Sequence, residues 1–99
     1  MTIGKTIENG KLTLALEGKL SVSTAPQLQE MLIPVFDEAK EVVLDFTKLA
    51  YVSSAGLRVL LIGYETAQAK GAKMTVSGVS DEIMDTLEIT GFTNFLTIV

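Results

Sequence analysis

Leu12, Leu14 and Leu16 alternate with Thr13 and Ala15, and the run is flanked by Lys11 and Glu17. A period of two predicts a β-strand with one apolar face, ended here by Gly18. Asn9-Gly10 immediately before it is a two-residue hairpin signal, and the weak alternation from Thr2 to Glu8 supplies the partner strand. The period then changes. Leu28, Met31, Leu32, Val35, Phe36 and Ala39 recur at helical spacing and fall on one face. Thr24 with Gln27 resembles a capping box at the start of that helix, and Pro26 is tolerated in a first turn. Pro34 inside the pattern predicts a kink or a local break.

Glu41 to Phe46 reads as a buried strand, Thr47 to Val52 as a loop, and Ser53-Ser54-Ala55-Gly56 as the start of a helix running to about Lys70. Gly71 suits its C-terminal cap. Lys73 to Ser77 is a further strand closed by Gly78. Ser80-Asp81-Glu82 opens a third helix that carries Ile83, Met84 and Leu87, Gly91 stops it, and Phe95 to Val99 forms a last strand. The order β-β-α-β-α-β-α-β implies an α/β fold with a mixed, mostly parallel sheet. The expected core is Leu12, Leu14, Leu16, Leu28, Leu32, Val42, Leu44, Leu57, Leu60, Leu61, Val76, Leu87, Phe92 and Phe95.

A chain of 99 residues has room for one core, and no linker, repeat or low-complexity tract divides it. One domain over residues 1–99 is expected. Lys and Arg number 8 against 12 Asp and Glu, and the cations are scattered singly, so no basic face exists to displace counterions from nucleic acid. The longest strictly apolar run, Val59 to Ile62, falls far short of the roughly 20 residues that span a bilayer, so no membrane insertion is expected. Met1 to Lys5 carry no signal-peptide core, and a cytoplasmic protein is expected.

Chemistry is constrained more sharply. With 0 Cys and 0 His, thiolate nucleophiles, Cys/His zinc sites and the commonest general base are all absent. No Gly-x-Ser-x-Gly elbow or phosphate-gripping Gly-x-x-x-x-Gly-Lys-Ser/Thr loop occurs. Asp81, Glu82 and Asp85 form an acidic group, but acids at a helix N-terminus are explained by the dipole. No catalytic residue, metal or cofactor is therefore expected.

Ser53-Ser54-Ala55-Gly56 stands apart. One serine suffices to cap a helix, yet two are consecutive, and the small Ala55 and Gly56 leave the helix start approachable. The helix behind is apolar on more than one side, through Ala55, Leu57, Val59, Leu60, Leu61, Ile62, Tyr64 and Ala67. Either it offers a partner surface or it is buried all round. A phosphate on one of these serines would add a charge of about −1.5 to −2 beside the helix dipole, and would disrupt an apolar contact with a partner while sparing the fold.

Val42-Val43-Leu44-Asp45-Phe46 followed by Tyr51-Val52-Ser53-Ser54-Ala55-Gly56-Leu57-Arg58-Val59-Leu60-Leu61 resembles the central signature of STAS domains, and most closely the stand-alone bacterial anti-sigma factor antagonists. Glu17-Gly18-Lys19-Leu20 and Ile89-Thr90-Gly91-Phe92 agree with it, so the resemblance covers nearly the whole chain. The family pattern Asp-Ser-Ser/Thr-Gly-Leu, aligned on Gly56-Leu57, implies Ser54 as the phosphoacceptor. Ser53 then stands where the family has an acid and is the runner-up acceptor. Ser21 replaces another frequent Asp in the loop before the first helix. The resemblance implies a partner-binding set of Ser21, Ser23, Thr24, Ser53, Ser54, Ala55, Gly56, Leu57 and Arg58.

It also implies partner switching. The unphosphorylated protein binds an anti-sigma factor that is a serine kinase and frees a sigma factor. Phosphorylation ends binding, and a serine phosphatase resets the system. The protein would be the substrate and switch rather than an enzyme. Two other readings stay open: a constitutive STAS scaffold or transporter-associated subunit, and a small-ligand module gripping a nucleotide between the Ser21 to Thr24 loop and the Ser53-Ser54 helix start.

Overall fold

In the computed structural model, which describes residues 1–99, the first two strands are β1 (Thr2–Glu8) and β2 (Lys11–Leu20). They pair antiparallel through Asn9 and Gly10, both at positive φ (53° and 78°) as a tight primed turn requires. Helix α1 (Ala25–Val35), strand β3 (Glu41–Val52), helix α2 (Ser54–Lys70), strand β4 (Lys73–Ser77), helix α3 (Asp81–Ile89), a 3₁₀ turn (Phe92–Asn94) and strand β5 (Thr97–Ile98) follow. The sheet order is β1-β2-β3-β4-β5, with every pair after the first parallel.

Helix α1 ends at Val35, one residue past Pro34, so the expected break falls at the helix terminus. Gly71 caps α2 at φ 66°, in the left-handed region. Ser80 caps α3 by accepting from the Ile83 N–H at 3.2 Å.

The expected loop over Thr47 to Val52 is strand. β3 runs twelve residues, and β2 continues past Gly18 to Leu20 beside it. The register explains why alternation did not reveal this. It shifts between Ala15 and Glu17 and again between Gly18 and Lys19, so β3 holds extra residues at two places. Each shift replaces period two by period three. Phe46, Leu49 and Val52 point inward, while Thr47, Lys48, Ala50 and Tyr51 are exposed. Gly18, at φ 111°, sits at the second shift rather than at a strand end.

At the first shift the Asp45 carboxylate receives the Thr47 backbone N–H at 2.9 Å and the Thr47 hydroxyl at 2.6 Å. These two bonds hold its pKa below the usual carboxylate value, against partial desolvation, with a smaller contribution from Lys48. Gly78 faces the same spot, where a Cβ would meet Thr47 and Asp45 Oδ1.

Leu12, Leu14 and Leu16 of β2, Val42, Leu44 and Phe46 of β3, and Met74 and Val76 of β4 form one buried layer. Helices α1 and α2 cover it. Gly63 of α2 lets them close, since a Cβ there would sit 2.5 Å from Leu32 Cδ2 and 3.2 Å from Met74 Sδ. Thr75, on the opposite face, is also buried, whereas Ala15 and Glu17 on that face are exposed.

Three expected core residues differ. Leu61 is 37% exposed, because its position on α2 faces away from both α1 and the sheet. Phe92 and Phe95 are half-buried, and Phe95 packs its ring 4.9 Å from both Tyr64 and Phe92. They form an aromatic fringe rather than the centre. The last strand is correspondingly shorter than Phe95 to Val99.

Leu44→Ala should cost about 2–5 kcal/mol through the cavity it leaves, while Leu61→Ala should stay within about 1 kcal/mol. Urea denaturation midpoints compare them directly. Asp45 has a depressed folded pKa, so its stabilising contribution is complete above the unfolded carboxyl value near 3.8 and lost as pH falls through the lower folded value. Asp45→Asn should flatten stability against pH in that acid window, as read from melting temperatures below pH 4.

Candidate partner-docking site

The parallel pairing of β2 with β3 persists to its last residues, Lys19 with Tyr51 and Leu20 with Val52. Two segments therefore leave the sheet side by side, Ser21 to Thr24 and Ser53 to Gly56. The Ser53 N–H donates to the Leu20 carbonyl at 2.8 Å and ties them together. Gly56 brings the helix against the strand end. A Cβ on it would lie 2.6 Å from Leu20 Cγ and 3.1 Å from Leu20 O. That is closer than any real side chain packs, so this approach requires glycine.

The two serines differ in what their hydroxyls do. Ser53 has extended backbone (φ −87°, ψ 173°) and is the N-cap, its Oγ accepting from the Gly56 N–H at 3.2 Å. Ser54, the first helical residue, is exposed and its hydroxyl makes no hydrogen bond. Ala55 is half-buried, Gly56 and Leu57 are buried, and Arg58 is exposed. Leu57 thus supports this surface from beneath.

The first segment is braced by its own side chains. Thr24 Oγ1 accepts from the Ser21 N–H at 2.8 Å and donates to the Lys19 carbonyl at 2.7 Å. The Ser21 hydroxyl lies 3.0 Å from that of Ser23, and the Ala25 N–H donates to the Ser21 carbonyl at 2.8 Å. The expected capping box does not form. Thr24 makes no side-chain cap to α1, because its hydroxyl is committed to the loop. Gln27 instead donates to the Met1 carbonyl at 3.0 Å.

Ser21, Ser23 and Thr24 are therefore brought beside Ser53, Ser54, Ala55, Gly56, Leu57 and Arg58. The apolar surplus on α2 is largely absorbed by packing. Leu57, Val59, Leu60 and Ala67 are buried, Ala55, Ile62 and Tyr64 half-buried, and Leu61 alone among the apolar residues of α2's central turns faces solvent. Sequence reasoning passed over Lys19 and Val22 at this site. Val22 is an apolar residue that belongs neither to the alternation of β2 nor to the stripe of α1, which was the available signal. No group of His, Cys, Asp and Glu is arranged to hold a metal, and no helix is long and apolar enough to cross a membrane.

Residues 3–99 match the family model for the STAS domain. The chain belongs to the STAS domain family. Among its relatives is BtrV of Bordetella bronchiseptica, provisionally named an anti-sigma factor antagonist. It is 35% identical over 86 residues, covering 85% of this chain and 73% of that protein. An anti-sigma factor antagonist from Mycobacterium paratuberculosis superposes with a TM-score of 0.88 at 20% identity, over 98% of this chain and 83% of that one. The Bacillus cell fate determinant SpoIIAA matches in its phosphorylated form (TM-score 0.76, 12% identity, 99% of this chain and 91% of that one). SpoIIAA in its unphosphorylated form matches equally well (TM-score 0.78, 12% identity, 99% and 87%). This STAS chain thus has the expected mixed sheet and element order, with one 3₁₀ turn added.

Ser53→Ala should lower stability by about 1 kcal/mol through loss of the cap, whereas Ser54→Ala should stay within about 0.5 kcal/mol. Chemical denaturation of the two variants separates the capping serine from the free one.

Proposed function

We propose that this STAS protein is an anti-sigma factor antagonist switched by phosphorylation at Ser54. The observation that carries the reading is the division of labour between adjacent serines. Ser53 spends its hydroxyl on the helix cap, and Ser54 presents an exposed, unbonded hydroxyl one residue on. A kinase needs such an oxygen, reachable without unfolding the helix start. Ser53 is the runner-up acceptor, disfavoured because its modification would sacrifice the cap.

In this reading the unphosphorylated protein binds an anti-sigma factor that is also a serine kinase, and a sigma factor is released. The kinase then moves the γ-phosphoryl group of its ATP to Ser54 Oγ. The bond to ADP breaks, the new P–O bond forms, and the hydroxyl proton passes to the kinase. A serine phosphatase later hydrolyses the ester, returning serine and inorganic phosphate. Residues 1–99 act as one unit that is the substrate of both enzymes and catalyses neither step, in the cytoplasm and without direct contact to nucleic acid. To shift the complex from about 99:1 bound to 1:99, the phosphate must weaken binding about 10⁴-fold, or about 5.5 kcal/mol. A charge stranded in a desolvated contact costs several kcal/mol, which is the required scale.

Capture from host lysate on Ser54→Ala and Ser54→Asp, followed by purification of what is retained, tests this. A serine kinase should bind Ser54→Ala, should bind Ser54→Asp at least 100-fold more weakly, and should phosphorylate the natural protein at Ser54 as mapped by mass spectrometry. Identical partners on both baits would instead support a permanent scaffold.

A further inference from the structure

From the shape and charge of the surface around Ser54, we infer the chemistry of the partner that docks there: an apolar pocket that takes Val22, rimmed by acidic groups that meet Lys19 and Arg58. The inference rests on the reading of Ser54 as the switch and adds what the partner's contact surface must look like.

Val22 is 76% exposed, more than any large apolar residue but Ile89, and of these two only Val22 lies beside Ser53 and Ser54 in the site described above. Its exposure is not that of a slack loop. The segment around it is held by the Ser21, Ser23 and Thr24 hydroxyls and by the bond from Ser53 N–H to Leu20 O. A braced loop that displays one bare apolar side chain has its ordering cost met before any partner arrives, which is what an anchor residue needs. The location names the occupant. Any kinase that encloses Ser54 Oγ must also cover the adjoining strand-to-helix segment, because Ser53 and Leu20 are joined at 2.8 Å.

Charge gives the rest. The whole chain is acidic, at −4, yet residues 18–24 and 49–64 contain Lys19 and Arg58 as their only charged side chains. Both are exposed. Arg58 lies one helical turn beyond Ser54, on the same face of α2. Lys19 pairs in the sheet with Tyr51, three residues before Ser54, and Arg58 follows Ser54 by four, with no acid in either segment, so they select an acidic rim on the partner. The same arrangement explains how a phosphate would act. Its charge of about −2 offsets both cations, pairs with Arg58 at the i+4 position, and repels the rim it faces. The switch would then cancel the positive charge of the docking face and leave the anchor in place.

The probe is the purified anti-sigma factor kinase retained by Ser54→Ala. Its affinity is measured by calorimetry for the natural protein and for Val22→Ser, Lys19→Glu and Arg58→Glu, each over a salt series. Ile89→Ser serves as a control, since Ile89 is 86% exposed at the far end of α3. Val22→Ser should weaken binding about 10- to 100-fold. Each charge reversal should weaken it about 10-fold or more and reduce its salt dependence. Ile89→Ser should bind like the natural protein, and unchanged urea midpoints verify that all variants are folded. Less than a threefold effect for Val22→Ser, or for both charge reversals, overturns the inference while Ser54 gating stands. If Ser54→Ala retains no kinase, the switch reading fails and the inference falls with it.

Discussion

Everything at the candidate docking face depends on the parallel pairing of β2 with β3. These two strands lie inside the sheet and stay paired to Leu20 and Val52, beyond two register shifts. Without that length the Ser21 to Thr24 loop and the start of α2 would leave the sheet at different heights. With it, the Ser53 N–H reaches the Leu20 carbonyl, and the strand pairing ends directly in the helix cap. The irregularities themselves are held by local devices. Asp45 satisfies the Thr47 N–H at the first, and Gly18 takes up a positive φ at the second.

The site is therefore braced by hydrogen bonds from both segments, which fits the proposed role. A partner that binds a preformed surface loses little to ordering, and a phosphate added to an exposed hydroxyl need not rebuild what lies beneath it. Gly56 and Gly63 serve the same end at two points of α2. One lets the helix start press on Leu20, and the other lets its middle close on Leu32 and Met74. The helix is consequently fixed by the core on one side. On the other side it offers Ser54, Arg58 and Leu61 to solvent.

The fold was legible wherever a single period governed the chain. The leucines of β2, the apolar stripe of α1 as far as Val35, the Asn9-Gly10 turn and the Gly71 cap follow from local sterics and spacing, and they fell where expected, whereas Phe36 and Ala39 lie past the helix end. The tail of β3 was not legible. Its buried residues change from every second to every third position only because β2 offers fewer residues opposite, and a register is a property of two strands. Leu61 was misplaced for a related reason. Helical spacing identifies apolar positions, but which of them face solvent depends on where α1 and the sheet lie.

At the site, the resemblance indicated the segments and the structure divided their roles. Composition and motif absence alone removed thiolate, imidazole and zinc chemistry, and two consecutive serines before a glycine marked the place. Cap geometry separated them, because the cap falls to the residue whose backbone is extended at the helix boundary. That boundary is set by strand pairing behind it. The sequence by itself determined most of the elements, the apolar faces and the lack of any thiol or imidazole side chain, since these depend on residue type and near neighbours. Only the tertiary structure decided which serine hydroxyl is free, that Val22 is bare, and that the loop after Leu20 leaves the sheet beside the start of α2, because each depends on contacts between segments distant in the chain.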